Sequence, residues 1–115
     1  MSRVRPAAVA GSFYPSDPQS LAFEVGAMLG DAKARQPAQP APKAVIVPHA
    51  GYVYSGPIAA AAFARLEAGR GMIRRVVLLG PVHRVAVQGL ALPGVNAFVT
   101  PLGQVPLDLD AMNSI

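Results

Sequence analysis

The chain contains no cysteine, so neither a disulfide framework nor a thiolate metal site can be assembled from its own residues, and composition leaves the redox compartment open. Charge is scarce as well. Charged residues make up 14% of the chain and mean hydropathy is +0.37, which is unusually apolar for a small soluble domain that must cover its whole surface. That balance points to a fragment, or to a large interface. A long uninterrupted hydrophobic run is missing too. Residues 44–64 carry no formal charge, but Pro48, His49, Gly51, Ser55, Gly56 and Pro57 fall within them and would break a membrane helix in mid-bilayer. No transmembrane segment and no membrane partner are expected. Residues 1–13 begin with arginines but lack the apolar run of a secretory signal, so a cytoplasmic location is the default expectation.

What the chain does contain suits one packed unit. It has 115 residues, 52% of them hydrophobic, enough for a core rather than a disordered tail. The formal charge is +4 and the isoelectric point is near 10.1, yet the ten lysines and arginines are dispersed, with only Arg74 and Arg75 adjacent. A nucleic-acid footprint clusters its cations and interleaves aromatics; here the cations read as a solvated surface, and no nucleic-acid partner is expected.

Ser16-Asp17-Pro18 offers an N-cap and a proline for the first helical position. A helix should start there, with Leu21, Val25, Met28 and Leu29 forming its apolar stripe. Residues 36–43 repeat proline too often for helix or central strand and read as an exposed connector. Ala44-Val45-Ile46-Val47 and Val76-Val77-Leu78-Leu79 are short apolar runs without polar alternation, the pattern of strands buried on both faces of a parallel sheet. Between them, Pro57 opens an expected helix over residues 57–68, with Ile58, Phe63 and Leu66 facing inward and Gly69 and Gly71 ending it. Strand, helix and strand make a right-handed βαβ unit. Gly89-Leu90-Ala91-Leu92 reads as a third strand and Ala97-Phe98-Val99 as a weaker fourth, after which Asp108 caps a final helix over residues 109–115. The fold class is therefore α/β with a mainly parallel sheet.

The two histidines are the informative residues. His49 follows the first apolar run after one proline, and His83 follows the second after Gly80-Pro81-Val82. Parallel neighbours run roughly 4.8 Å apart, and both loops would open on the sheet edge where α/β proteins place ligands. A single loop histidine is commonly a structural hydrogen-bonder; two at equivalent positions of one βαβ unit point to a pocket. Gly51 permits close backbone approach, Tyr52 and Tyr54 can line the wall, and Ser55-Gly56-Pro57 presents an anion-binding helix start. Ser55 lacks the surroundings of a nucleophile elbow and reads as a cap. Arg84 beside His83 reads as an exposed cation outside the site.

Neutral imidazoles suit iron, copper or zinc, but a stable mononuclear site wants a third protein donor. Asp108 and Asp110 are the nearest carboxylates downstream and read as a cap and a first-turn acid. Without a metal, the same histidines could serve as general acid and base, or bind a phosphorylated or carboxylated ligand. No organic cofactor is indicated; the expected partner is a small molecule or a phosphorylated peptide.

Four segments together carry a family resemblance: Ala10-Gly11-Ser12-Phe13-Tyr14-Pro15, Pro48-His49-Ala50-Gly51-Tyr52-Val53-Tyr54-Ser55-Gly56-Pro57, Gly80-Pro81-Val82-His83-Arg84 and Thr100-Pro101-Leu102-Gly103. Their order along nearly the whole chain resembles the Memo family, also called AmmeMemoRadiSam system protein B, which is similar in fold to class III extradiol ring-cleavage dioxygenases. The resemblance implies a three-layer α/β/α sandwich, incomplete in this chain, in which residues 1–115 are the N-terminal portion of one domain. It also implies that His49 and His83 match the first two histidines of the family's pocket, which hold non-haem iron in the dioxygenase relatives. One iron or copper ion is thus expected ahead of zinc, with redox or oxygen-linked chemistry possible. The family's remaining pocket histidine, aspartate and cysteine come from a later region. Val82 departs from the family's usual serine or asparagine before the histidine, which removes a hydrogen-bonding side chain from that loop. Fold analogy by itself does not establish ring cleavage, and an adaptor role remains the competing implication.

Overall fold

A computed structural model describes residues 3–115. Its longest element, α1 (Pro18–Ala34), starts where the sequence places it: Asp17 is the N-cap and Pro18 occupies the first turn. The Asp17 carboxylate accepts from the Ser20 backbone N–H at 2.8 Å and the Ser20 hydroxyl at 2.9 Å. Those bonds stabilise the charged form. Asp17 is accordingly held below the usual aspartate range, first by the Ser20 backbone N–H and then by the Ser20 hydroxyl. A depressed folded value means a contribution that is complete above the unfolded aspartate range and is lost as pH falls through the lower folded value. Asp17→Asn should therefore keep the cap while flattening this part of the acid titration of helix content by circular dichroism; an unchanged titration would refute the assignment.

Leu21 is buried, Val25, Met28 and Leu29 are half-buried along the expected stripe, and Ala32 continues it. The partner surface is α2 (Tyr52–Phe63), extended by a 3₁₀ turn over Ala64–Gly69. Helix α2 begins five residues ahead of the expected start at Pro57, which instead lies inside it. The Pro57 ring supplies no N–H for the Val53 carbonyl. Nor do Ile58 and Phe63 face inward: both are exposed, and α2 instead buries Ser55, Gly56 and Ala60, followed by Ala64 in the 3₁₀ turn. Gly56, Ala60 and Ala64 recur every fourth position, a row that lets α1 approach closely. Ala32, Ala60 and Ala64 form the shared core, with Met28 and Leu29 packed on it. At Gly56 an added Cβ would lie 2.6 Å from Met28 Sδ and 3.4 Å from Tyr52 Cβ. Gly56→Val should thus force the helices apart and cost roughly 1–3 kcal/mol, as overpacking does. A denaturation midpoint unchanged from the parent would show that Met28 yields freely.

The helical stretch ends at Gly69, as expected, and the Lys33 ammonium meets the Glu67 carboxylate across the pair at 2.9 Å. Glu67 is held below the ordinary glutamate range by its hydrogen bond to Lys33, reinforced by the lysine charge. Both side chains are solvated, so this pair orients more than it stabilises.

The sheet departs from the sequence expectation. It contains β1 (Val4–Arg5), β2 (Ala97–Thr100) and β3 (Gly103–Pro106), in the order β1-β2-β3. Strands β1 and β2 are parallel, pairing Val4 with Ala97 and Arg5 with Phe98, while β2 and β3 form an antiparallel hairpin. The central strand is thus the segment whose sequence signal was weakest. Its turn is set by Thr100, whose hydroxyl donates to the Gly103 carbonyl at 2.9 Å and accepts from the Leu102 N–H at 3.1 Å. Gly103 closes the turn at φ +132, a region strained for any side chain.

The runs expected to be the main strands, residues 44–47, 76–79 and 89–92, take part in no ladder among the described residues, so the βαβ unit and the mainly parallel sheet are not formed there. Apolar patterning reports a demand for burial; it does not supply the neighbouring strand whose N–H and C=O groups complete a ladder. The described residues are mixed α/β, a small three-stranded sheet with three α-helices. The last of these, α3 (Leu109–Asn113), is capped by Asp108, which accepts from the Ala111 N–H at 3.0 Å. No helix among the described residues is long and apolar enough to cross a membrane.

Candidate functional site

The ends of the two apolar runs meet even though no ladder joins the runs themselves. His49 Nε2 and His83 Nε2 are 3.2 Å apart, with ring centroids separated by 5.3 Å and ring planes inclined by 33°. A nitrogen pair at this distance has two chemical readings. With one Nε2 protonated and the other not, it is a hydrogen bond between imidazoles. With both lone pairs free, it is a chelating pair: two nitrogens each about 2.0–2.1 Å from one ion, at an angle between about 90° and 109°, lie about 2.9–3.4 Å apart. The observed separation falls inside that window and also inside hydrogen-bond range, so the pair is compatible with either. No third histidine, cysteine, aspartate or glutamate joins them among the described residues. Asp108 and Asp110 stand in the capping positions expected of them, and Asp108 also meets Arg75 at 3.4 Å.

The His49 loop is held from both sides. Ser55 is buried, and its hydroxyl donates to the carbonyl of Ala50, the residue after His49, at 2.7 Å. The serine therefore works from inside helix α2 as a tie to the loop, not as a cap. The helix start lies at Gly51 and Tyr52 instead of Ser55-Gly56-Pro57, and the Tyr52 N–H is already donated to the Phe13 carbonyl at 2.8 Å. This replaces the expected anion-binding helix start. Gly51 lies against the Phe13 backbone: a Cβ there would stand 3.6 Å from Phe13 Cα and O. The segment before Pro15 is shaped by a tight turn in which Gly11, at φ +87, donates its N–H to the Tyr14 carbonyl at 2.7 Å.

Behind His49 lies a half-open cleft of about 280 Å³. Helix α1 contributes Val25, Met28 and Leu29 to its wall, and α2 contributes Tyr52, Ser55, Ala59 and Phe63. The N-terminal segment adds Val9, Phe13 and Tyr14. Tyr14 and Tyr52 pack with ring centroids 5.6 Å apart. Burial, followed by the neighbouring Tyr14 and Glu24, raises Tyr52 above the ordinary phenol range, so its hydroxyl stays protonated near neutral pH.

Of the residues expected to line a pocket, Tyr52 and Ser55 do so and Gly51 supports the loop, whereas Tyr54 is 82% exposed and outside the cleft. Arg84 is exposed, as expected. Phe13, Tyr14, Met28 and Phe63 complete the cleft. Nothing in their local spacing signals it, because each reaches the cleft through packing between distant segments.

Comparison with known proteins agrees with the sequence motifs. A family model described as Memo-like protein matches residues 5–115. A MEMO1 family protein of Aquifex aeolicus is 39% identical over 106 residues, covering 92% of this chain and 37% of the relative. Protein MEMO1 of Xenopus tropicalis is 37% identical over 105 residues, 90% of this chain and 33% of its own. The MEMO1 family protein MHO1 of Saccharomyces cerevisiae is 35% identical over 115 residues, 97% of this chain and 33% of its own. The chain spans between a third and two-fifths of the length of these relatives. A match running through almost every residue from β1 to the last helix, at this level of identity, means that the chain belongs to the Memo-like protein family.

Proposed function

We propose that in the full-length protein His49 and His83 together hold one transition-metal ion, iron or copper ahead of zinc, in a pocket for redox or oxygen-linked chemistry. The observation that carries this reading is the 3.2 Å separation of the two Nε2 atoms, which suits a chelating pair. Such an ion supplies an open coordination position and redox capacity. The chain's own residues do the rest. Both imidazoles must present an unprotonated Nε2, which places the ring proton on Nδ1, and the bonds from Ser55 to Ala50 and from Tyr52 to Phe13 fix the loop that carries His49. In this reading, residues 44–47 and 76–79 become inner strands of a three-layer sandwich, and the remaining donors come from elsewhere in the protein.

The test is elemental analysis of the full-length protein beside its His49→Ala variant after identical purification. Stoichiometric iron or copper lost in the variant is the expected result. Unchanged metal in the variant would remove His49 from the ligand set. Metal absent from both under reducing, unchelated conditions would overturn the proposal in favour of a non-enzymatic module for phosphorylated or carboxylated ligands.

A further inference from the structure

His49 owes its position to the backbone beneath it. Its ring is exposed, and among the described residues its hydrogen-bond contact is with His83 alone. An exposed imidazole is held little by packing, so residues 48–50 decide where it stands. That stretch of backbone is itself sparsely bonded. Pro48 has no N–H, and among the described residues the backbone of 48–50 makes one hydrogen bond, the one its Ala50 carbonyl accepts from the Ser55 hydroxyl at 2.7 Å. The bond from the Tyr52 N–H to the Phe13 carbonyl anchors the start of α2, two residues further along.

Ser55 is not the residue that helix formation alone would select there. It is 6% exposed and lies one turn into α2, where alanine is the better helix former and would fit the same space. A serine within a helix commonly turns its hydroxyl back on the carbonyl four residues earlier. Here that carbonyl belongs to Gly51 and stands 3.4 Å away, while the shorter bond passes over it to Ala50, ahead of the helix. The Gly51 carbonyl already accepts from the Tyr54 and Ser55 N–H groups. The hydroxyl therefore serves the residue next to His49 and not the helix.

We infer that Ser55 is a positioning residue: acting through the Ala50 carbonyl, its hydroxyl sets where the His49 ring stands against His83. The inference rests on the metal reading only for the effect on metal affinity. Ring placement is independent of it, since a hydrogen-bonded pair and a chelating pair both need the 3.2 Å separation.

Overhauser effects between the His49 and His83 ring protons, read on the metal-free full-length protein, report the placement directly. The parent and Ser55→Thr, which keeps the hydroxyl, should show them, and Ser55→Ala should weaken them severalfold. Contacts between the Tyr14 and Tyr52 rings, 5.6 Å apart, are the internal control and should keep their intensity, because Tyr52 is anchored through Phe13. With copper as the probe, competition against a chelator should show affinity about tenfold to a hundredfold weaker in Ser55→Ala and recovered in Ser55→Thr, the size of effect that groups orienting a ligand have. The two readings fail separately: weakened ring contacts in Ser55→Ala beside a parent that binds no metal would keep Ser55 in this role and remove the metal. Unchanged His49–His83 contacts in a folded Ser55→Ala variant, or their absence from the parent, would overturn the inference. So would a parallel loss between Tyr14 and Tyr52, which would make the serine a support of the whole helix start. Should Ser55→Ala not fold, Ser55→Cys takes its place, since a thiol is a much weaker donor.

Discussion

His49→Ala and His83→Ala should each lower the metal affinity of the full-length protein by about a hundredfold or more, and the double variant should fall little further. The non-additivity follows from geometry. If the pair chelates as proposed, two nitrogens 3.2 Å apart act as one unit, so removing either abolishes the arrangement and leaves the other imidazole to bind alone. Competition against a chelator of known affinity measures all three variants and the parent. Additive losses would mean that the histidines bind separate ions or act independently, and a loss confined to one variant would make the other histidine a hydrogen-bonding neighbour. Thermal melts guard against a trivial cause. Both imidazoles are exposed and carry little of the core, so the metal-free variants should melt close to the metal-free parent.

Expressed alone, residues 1–115 should self-associate. Ile46 is fully exposed, and Val76, Val77, Leu78 and Leu79 are 74–81% exposed. These residues lie on segments whose backbone groups form no ladder among the described residues. Extended apolar chain with unpaired N–H and C=O groups is a template for pairing with another copy. Sedimentation velocity should therefore show mass increasing with concentration, and Val76→Lys combined with Leu78→Lys should shift the distribution towards monomer. A monodisperse monomer that melts cooperatively would refute this. The full-length protein should not share the behaviour if its remaining residues cover these runs.

The helical parts of the chain were legible because their signals are local. Asp17 caps α1 and Asp108 caps α3 through bonds three residues long, and the row from Leu21 to Leu29 turns one face of α1 inward. Pro57 offers a familiar first-turn signal, yet the second helix starts five residues earlier. In the structure, Gly51 and Tyr52 open the helix against Phe13. Its buried face differs from the expected one as well, since large side chains outweigh small ones in a hydrophobic pattern. Close helix packing selected Gly56, Ala60 and Ala64 instead.

By itself, the sequence determined family membership, the capped helices, and the position of each histidine just after an apolar run. Tertiary structure alone decided which segments pair as strands, which side of α2 is buried, and that Phe13 and Tyr14 share a cleft with His49. The physical reason is range. Caps and helical stripes are settled among residues a few positions apart, whereas the histidine contact joins positions 34 apart and the bond from the Arg3 N–H to the Asn96 side-chain oxygen, beside the β1–β2 pairing, joins positions 93 apart. Contacts of that length close only when the whole chain has packed, and no local pattern encodes the partner.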